Sequence, residues 1–162
     1  MAHEAAKVDS GAMASSLFQL VTFSLDNEEF AAEVLKVREI IRMIPITHMP
    51  NAPEYVEGII NLRGKVIPVV SMRKKFGMPH AAASSHTRII VMDIAGSLMG
   101  FIVDAVSEVI RVSGAEVQPP PQVSTGGVDE YCITGVINQA DRLLVLLDLE
   151  KLFPEGGEGV AT

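Results

Sequence analysis

Tryptophan is absent from the chain, and aromatic residues make up only 5% of it. That removes the usual stacking platform for single-stranded nucleic acid. Positive charge is also short: 13 Lys and Arg against 20 Asp and Glu leave a formal net charge of -7. A surface that acidic repels phosphate backbones, so no nucleic-acid partner is expected. The single cysteine, Cys132, cannot close a disulfide within the chain. A reducing, intracellular compartment fits it, and a small core residue is its plainest role. No apolar run approaches the roughly 18 residues of a membrane span. The opening MAHEAAKVDSGAMASS lacks the basic start and apolar centre of a secretory signal. The expectation is a soluble protein without direct membrane insertion, held at a membrane only through a partner.

Reactive constellations are missing as well. GIINLRGKV offers Gly58 and then Gly64-Lys65, but five residues intervene where a phosphate loop has four, and Val66 stands where that loop needs Ser or Thr. His48, His80 and His86 have no matching Cys or carboxylate cluster, and His3 lies in the leading tail. No G-x-S-x-G elbow occurs. Asp93, Asp104 and Asp148 are scattered, with no pair that argues for acid-base work. The basic run Arg73-Lys74-Lys75 reads as a solvated turn of helix. Neither a catalytic residue nor a metal nor a cofactor is expected.

What is present is β-structure. Apolar residues make up 48% of the 162, with Val and Ile abundant and long amphipathic runs few. Four pairs of apolar runs flank the turn signals Asp26-Asn27, Arg63-Gly64, Ala95-Gly96 and Ala140-Asp141. Val34, Val37 and Ile41 recur at helical spacing, which predicts a short helix there. Pro45, Pro50 and Pro53 forbid a long element after it. Pro68 inside a strand predicts an edge position or a bulge. SMRKKF predicts one helical turn. HAAASSHT reads as a loop, and SGAEVQPPP as extended chain.

The chain also repeats itself. Shifted by 69 positions, residues 21–43 overlay 90–112, with Val34 on Val103, Val37 on Val106, Glu39 on Glu108, Ile41 on Ile110 and Arg42 on Arg111. Shifted by 77, residues 58–76 overlay 135–153, with Gly58 on Gly135, Asn61 on Asn138 and Phe76 on Phe153. Residues 1–15 and 155–162, small and polar without periodicity, read as flexible tails around a body at 16–154. Within that body the repeat predicts two subdomains, about 17–78 and 87–154, each a small set of antiparallel strands closing into a barrel. Neither half alone buries much core.

NAPEYVEGIINLRGKVIPVV, then FIVDAVSEVIRV with VQPPP, then ITGVIN and DRLLVLLDLEKLF, resemble in order the segments of the CheW family of bacterial chemotaxis coupling proteins. The resemblance spans about residues 17–153. It implies an all-β fold with short helices: two five-stranded β-barrel subdomains around a shared hydrophobic core. It implies a non-enzymatic cytoplasmic adaptor, recruited to the inner face of the membrane through receptor arrays. Its partners would be the regulatory domain of the histidine kinase CheA and the cytoplasmic tip of methyl-accepting chemotaxis receptors. Residue by residue, it implies kinase binding at Val21, Val34, Val37 and Gly58, and receptor binding at Glu39 and Arg63. The residues also admit plainer roles. The three valines read equally as core, Glu39 and Arg63 as partners of each other, and Gly58 as a strand glycine, because Gly135 recurs. Ser71 departs from the family's Asp at that position and retains the ability to cap a helical turn. Alternatives are the regulatory domain of a CheA-type kinase and the same adaptor in surface motility. A small enzyme with a spatially assembled site is the rival from another class.

Overall fold

The computed structural model describes residues 17–120 and 132–153. Both expected tails, and Pro121 of the proline run, lie outside the described residues. The strands run β1 Leu17–Leu25, β2 Glu28–Glu33, β3 Val37–Arg42, β4 Val56–Leu62, β5 Lys65–Ser71, β6 Arg88–Ile94, β7 Ser97–Val103, β8 Ala105–Ser113, β9 Val117–Gln118, β10 Ile133–Gln139 and β11 Arg142–Leu147. Two single-turn helices follow hairpins: α1, Met72–Lys75, and α2, Leu149–Leu152. The periodicity at Val34 resolves into a 3-10 turn, Val34–Lys36, which passes directly into β3.

The four turn signals behave alike. Asp26 and Asn27, Arg63 and Gly64, Ala95 and Gly96, and Ala140 and Asp141 all have positive φ. That is the turn geometry whose twist matches a right-handed hairpin. Two turns are closed by a side chain: Asn61 Oδ1 accepts the Gly64 N–H at 2.9 Å, and Asp93 Oδ1 accepts the Gly96 N–H at 3.1 Å.

The strands form two sheets, in the orders β8-β1-β2-β11-β10-β9 and β3-β6-β7-β5-β4. This corrects the expectation that 17–78 and 87–154 each build one subdomain. The hairpin β1–β2 leaves its own half and lies between β8 and β11, while β6–β7 lies between β3 and β5. The second sheet is therefore one continuous piece, residues 37–103, and the first is assembled from both ends of the described chain. The exchange also introduces two parallel pairings, β2 with β11 and β5 with β7. Pro68 sits on β5, an interior strand, so of the two expected settings the edge is not found, while a bulge lies beside it, between Val56 and Gly58 of the facing β4. The proline is tolerated because the ladder to β7 begins only at Val69 and never uses the N–H that proline lacks.

Each sheet curls until its ends meet. The chain leaving β3 lays Thr47 against Ile59 of β4, with reciprocal backbone hydrogen bonds of 2.9 Å. The chain leaving β8 lays β9 against β10 in the same way. The closed sheets enclose small cores of their own, Leu20, Ala31, Val112, Ile137 and Leu144 in one, and Ile60, Ile67, Val69, Ile89 and Val91 in the other. A larger core lies between them. Successive residues of one strand thus serve different cores: Leu20 points into its barrel and Val21 into the shared core, and Ile89 and Ile90 divide likewise. Burial on both faces explains why the centre of β6, Ile89 to Met92, reads as a continuous apolar run.

Candidate functional site

Two exposed features carry the residues singled out by the sequence. The first is the 3-10 turn between β2 and β3. Its last backbone bond runs from the Val37 N–H to the Val34 carbonyl, and no side chain caps its start. Val34 and Val37 are half-buried and pack against the shared core. Leu35, between them, is turned outward and is 83% exposed. Lys36 anchors the turn by a 2.7 Å ion pair to Glu150 of α2. That hydrogen bond holds the Glu150 carboxyl below its ordinary range and raises the Lys36 ammonium above its own.

The second feature is the tip of the β4–β5 hairpin. Arg63 stands there with 72% of its side chain exposed, paired to Glu39 of β3, which is 28% exposed. The bond to Glu39 raises the Arg63 pKa further. Since β3 and β4 are opposite ends of the sheet, this pair also spans the barrel's seam. Its counterpart in the other barrel joins Arg142 to Glu108 at 2.8 Å and Glu29 at 3.2 Å. Glu108 is the repeat partner of Glu39. Beside Arg63 lies a shallow open cleft edged by Arg38, Lys65, Asp93 and Leu98, in which Arg38 pairs with Asp93 at 2.9 Å.

The remaining two candidates lie inside. Val21 is 1% exposed and belongs to the shared core. Gly58 is buried, and a Cβ built there would sit 2.0 Å from the Thr47 carbonyl oxygen. Its repeat partner Gly135 faces Val117 and Gln118 of β9 in the same manner. Both glycines let a barrel close over them. The surface therefore brings together Val34 and Val37 on one feature and Glu39 and Arg63 on the other, with β3 joining the two. Leu35 was missed by sequence reasoning, although an apolar side chain wedged between two inward-facing valines is its signature.

An apolar groove of about 320 Å³ opens between the subdomains, lined by Phe18, Leu20, Met92, Ile94, Leu146 and Leu147 among others. Of its ionisable members, Lys36 and Glu150 hold each other, Asp148 caps α2 by accepting the Glu150 and Lys151 N–H groups, and Glu33 lies beside Lys36. Ser71 caps α1 through the Lys74 N–H at 3.2 Å, as its position predicted. Cys132 is buried in the shared core, and His48, His80 and His86 are exposed. Among the described residues, no group of three His, Cys, Asp or Glu could hold a metal. No helix there is long and apolar enough to cross a membrane.

Comparison with known proteins sets this geometry in context. The family described as CheW-like domain matches residues 19–156. Chemotaxis protein CheW of Treponema pallidum (strain Nichols) is 40% identical over 140 residues, covering 84% of this chain and 82% of the relative. Chemotaxis protein CheW of Klebsiella aerogenes is 33% identical over 134 residues, covering 83% and 80%. Among solved structures, the scaffolding protein TtCheW from Thermoanaerobacter tengcongensis superposes with a TM-score of 0.76 at 38% identity, covering 82% of this chain and 89% of that one.

Proposed function

From the premise that the chain belongs to the CheW family, we propose that it is a non-enzymatic adaptor in chemotaxis, coupling the cytoplasmic tips of methyl-accepting receptors to the regulatory domain of the kinase CheA. The match across nearly every described strand carries this reading. The protein works in the cytoplasm and reaches the inner face of the membrane by binding receptors.

The kinase-facing patch is the 3-10 turn. Leu35 is its projecting anchor, and Val34 and Val37 form its half-buried floor. A projecting side chain seated in a partner's pocket can anchor an interface, and the Lys36–Glu150 pair tethers the turn that presents this one. Val21 and Gly58 support the patch from below by packing and barrel closure, without touching the partner. The receptor-facing group is Arg63, whose planar guanidinium can make paired hydrogen bonds to a carboxylate or to carbonyls at a helical tip. Glu39 orients it.

Binding of the purified chain to CheA regulatory domain and to a receptor cytoplasmic fragment, measured separately, tests the assignment. Wild type binds both. Leu35→Asp loses the kinase domain and keeps the receptor fragment, and Arg63→Ala does the opposite. If wild type binds neither, the adaptor function fails. If both variants lose both partners while remaining folded, the division into two faces fails.

A further inference from the structure

The first sheet is completed by a hairpin that belongs, in sequence, to the other half. β1 and β2 pair tightly with each other and then insert between β8 and β11, strands supplied from the far end of the chain. Only the three-residue turn Val34–Lys36 joins this hairpin to the second barrel. None of those residues is buried, and the turn has no side-chain cap. Its direction is maintained by one backbone bond, by the packing of Val34 and Val37 against the shared core and by the partly exposed Lys36–Glu150 pair. At its other end the hairpin is steadied by two backbone contacts to Asp104. The Asp26 N–H donates to its carboxylate at 2.8 Å, and the Asp104 N–H donates to the Ser24 carbonyl at 3.0 Å.

We propose that hairpin 17–33 is an exchangeable element, able to complete the sheet of a second copy of this chain when the 34–36 turn straightens. A second copy offers the same β8 edge, the same β11 edge and the same Asp104. Every contact the hairpin makes within its own sheet can be rebuilt between molecules. Exchange of an identical element costs little beyond association itself, and a short hinge favours it. If the hinge extends, β2 continues towards β3 and hairpin 17–33 leaves the first barrel of its own chain to complete the first barrel of the partner, while the contiguous second barrel, 37–103, stays whole in each copy. The barrier is high, because Val21, Phe23, Leu25 and Phe30 must leave the shared core. Exchange therefore belongs to folding and refolding at high concentration, rather than to rapid equilibrium in the native state.

The test uses the register partners Gln19 of β1 and Arg111 of β8, both exposed. Gln19→Cys and Arg111→Cys are introduced together, with Cys132→Ala so that only the designed pair oxidises. The chain is unfolded in urea, refolded dilute or concentrated, oxidised, and separated without reductant. The expected result is an intramolecular bond after dilute refolding and a covalent dimer as the main species after concentrated refolding. Deleting Leu35 and Lys36 should raise the dimer's association constant by roughly tenfold or more. If concentrated refolding gives only intramolecular bonds in the wild-type hinge, the exchange is wrong, whatever the deletion does. A dimer seen by light scattering whose disulfides remain intramolecular would show ordinary association and also overturns it.

Discussion

Replacing Gly58 with alanine separates docking from closure at this position. The added Cβ would lie 2.0 Å from the Thr47 oxygen, 2.8 Å from its carbonyl carbon and 2.9 Å from Ile46 Cγ2. Two of these atoms are backbone, so no side-chain rotation relieves the contact. Thr47 must move away, and the reciprocal 2.9 Å hydrogen bonds with Ile59 break. Each is worth about 1 kcal/mol net. Gly58 also has φ of +150°, a backbone an L side chain occupies at a cost of about 1–3 kcal/mol. The expected loss is about 3–5 kcal/mol in urea unfolding followed by circular dichroism, a large share of a typical domain's ~5–15 kcal/mol. Gly64→Ala is the control. It has φ of +89° with nothing within 4 Å, so it should lose only the left-handed cost of about 1–2 kcal/mol. Kinase-domain affinity of the folded fraction should be unchanged in both. A Gly58→Ala chain as stable as Gly64→Ala, or one that stays fully folded yet loses the kinase domain, would refute the closure argument and return Gly58 to the interface.

Three further outcomes follow from the same packing. Val21→Ala removes two methyl groups from the shared core and should cost about 2 kcal/mol in urea unfolding, leaving affinity for either partner intact. Asp104 is held below the ordinary carboxyl value of 3.8, chiefly by hydrogen bonds from Arg73 at 2.7 and 2.9 Å. A depressed carboxylate contributes stability that is complete above 3.8 and is lost as pH falls through the lower folded value. Asp104→Asn should therefore be less stable at neutral pH and flatten the acid limb of a stability-versus-pH series. Ser71→Asp places a charged cap before the basic turn Arg73–Lys75, as Asp148 does before α2. It should raise stability by up to about 1 kcal/mol, with the gain shrinking in high salt.

The local grammar of this fold was open to reading. Each of the four hairpin turns falls at a dipeptide chosen from composition and flanking runs, because turn geometry depends on two residues and their neighbours. The repeat also identified Gly135 as the partner of Gly58, which held open a role for Gly58 in its strand beside the kinase contact implied by the resemblance. Strand exchange was not legible. A parallel pairing such as Val145 with Phe30 leaves no local trace, since both strands would look the same beside any apolar neighbour. That Pro68 lies on an interior strand beside a bulge, rather than on an edge, has the same origin. Val21 and Val34 could not be told apart by residue type. One lies on a strand with both faces buried, and the other on a turn that ends at the surface. The Glu39–Arg63 pair depends on the curl of a whole sheet, so sequence reasoning could only hold it open as an alternative.

The discontinuous first barrel has a consequence during synthesis. The second barrel, 37–103, is a contiguous stretch and can close as it leaves the ribosome. Hairpin 17–33 emerges earlier yet has to wait for β8 and β11, which end at Ser113 and Leu147. After residue 33, 114 more residues must be added to complete β11 at 147, about 6–23 s of elongation at ~5–20 residues per second. For that interval Phe23, Leu25 and Phe30 have no finished core to enter. On a polysome, neighbouring nascent chains carry the same unfilled sheet within reach. The first of the described strands to be made are thus among the last to be housed, and that is where a holding chaperone would be expected to act.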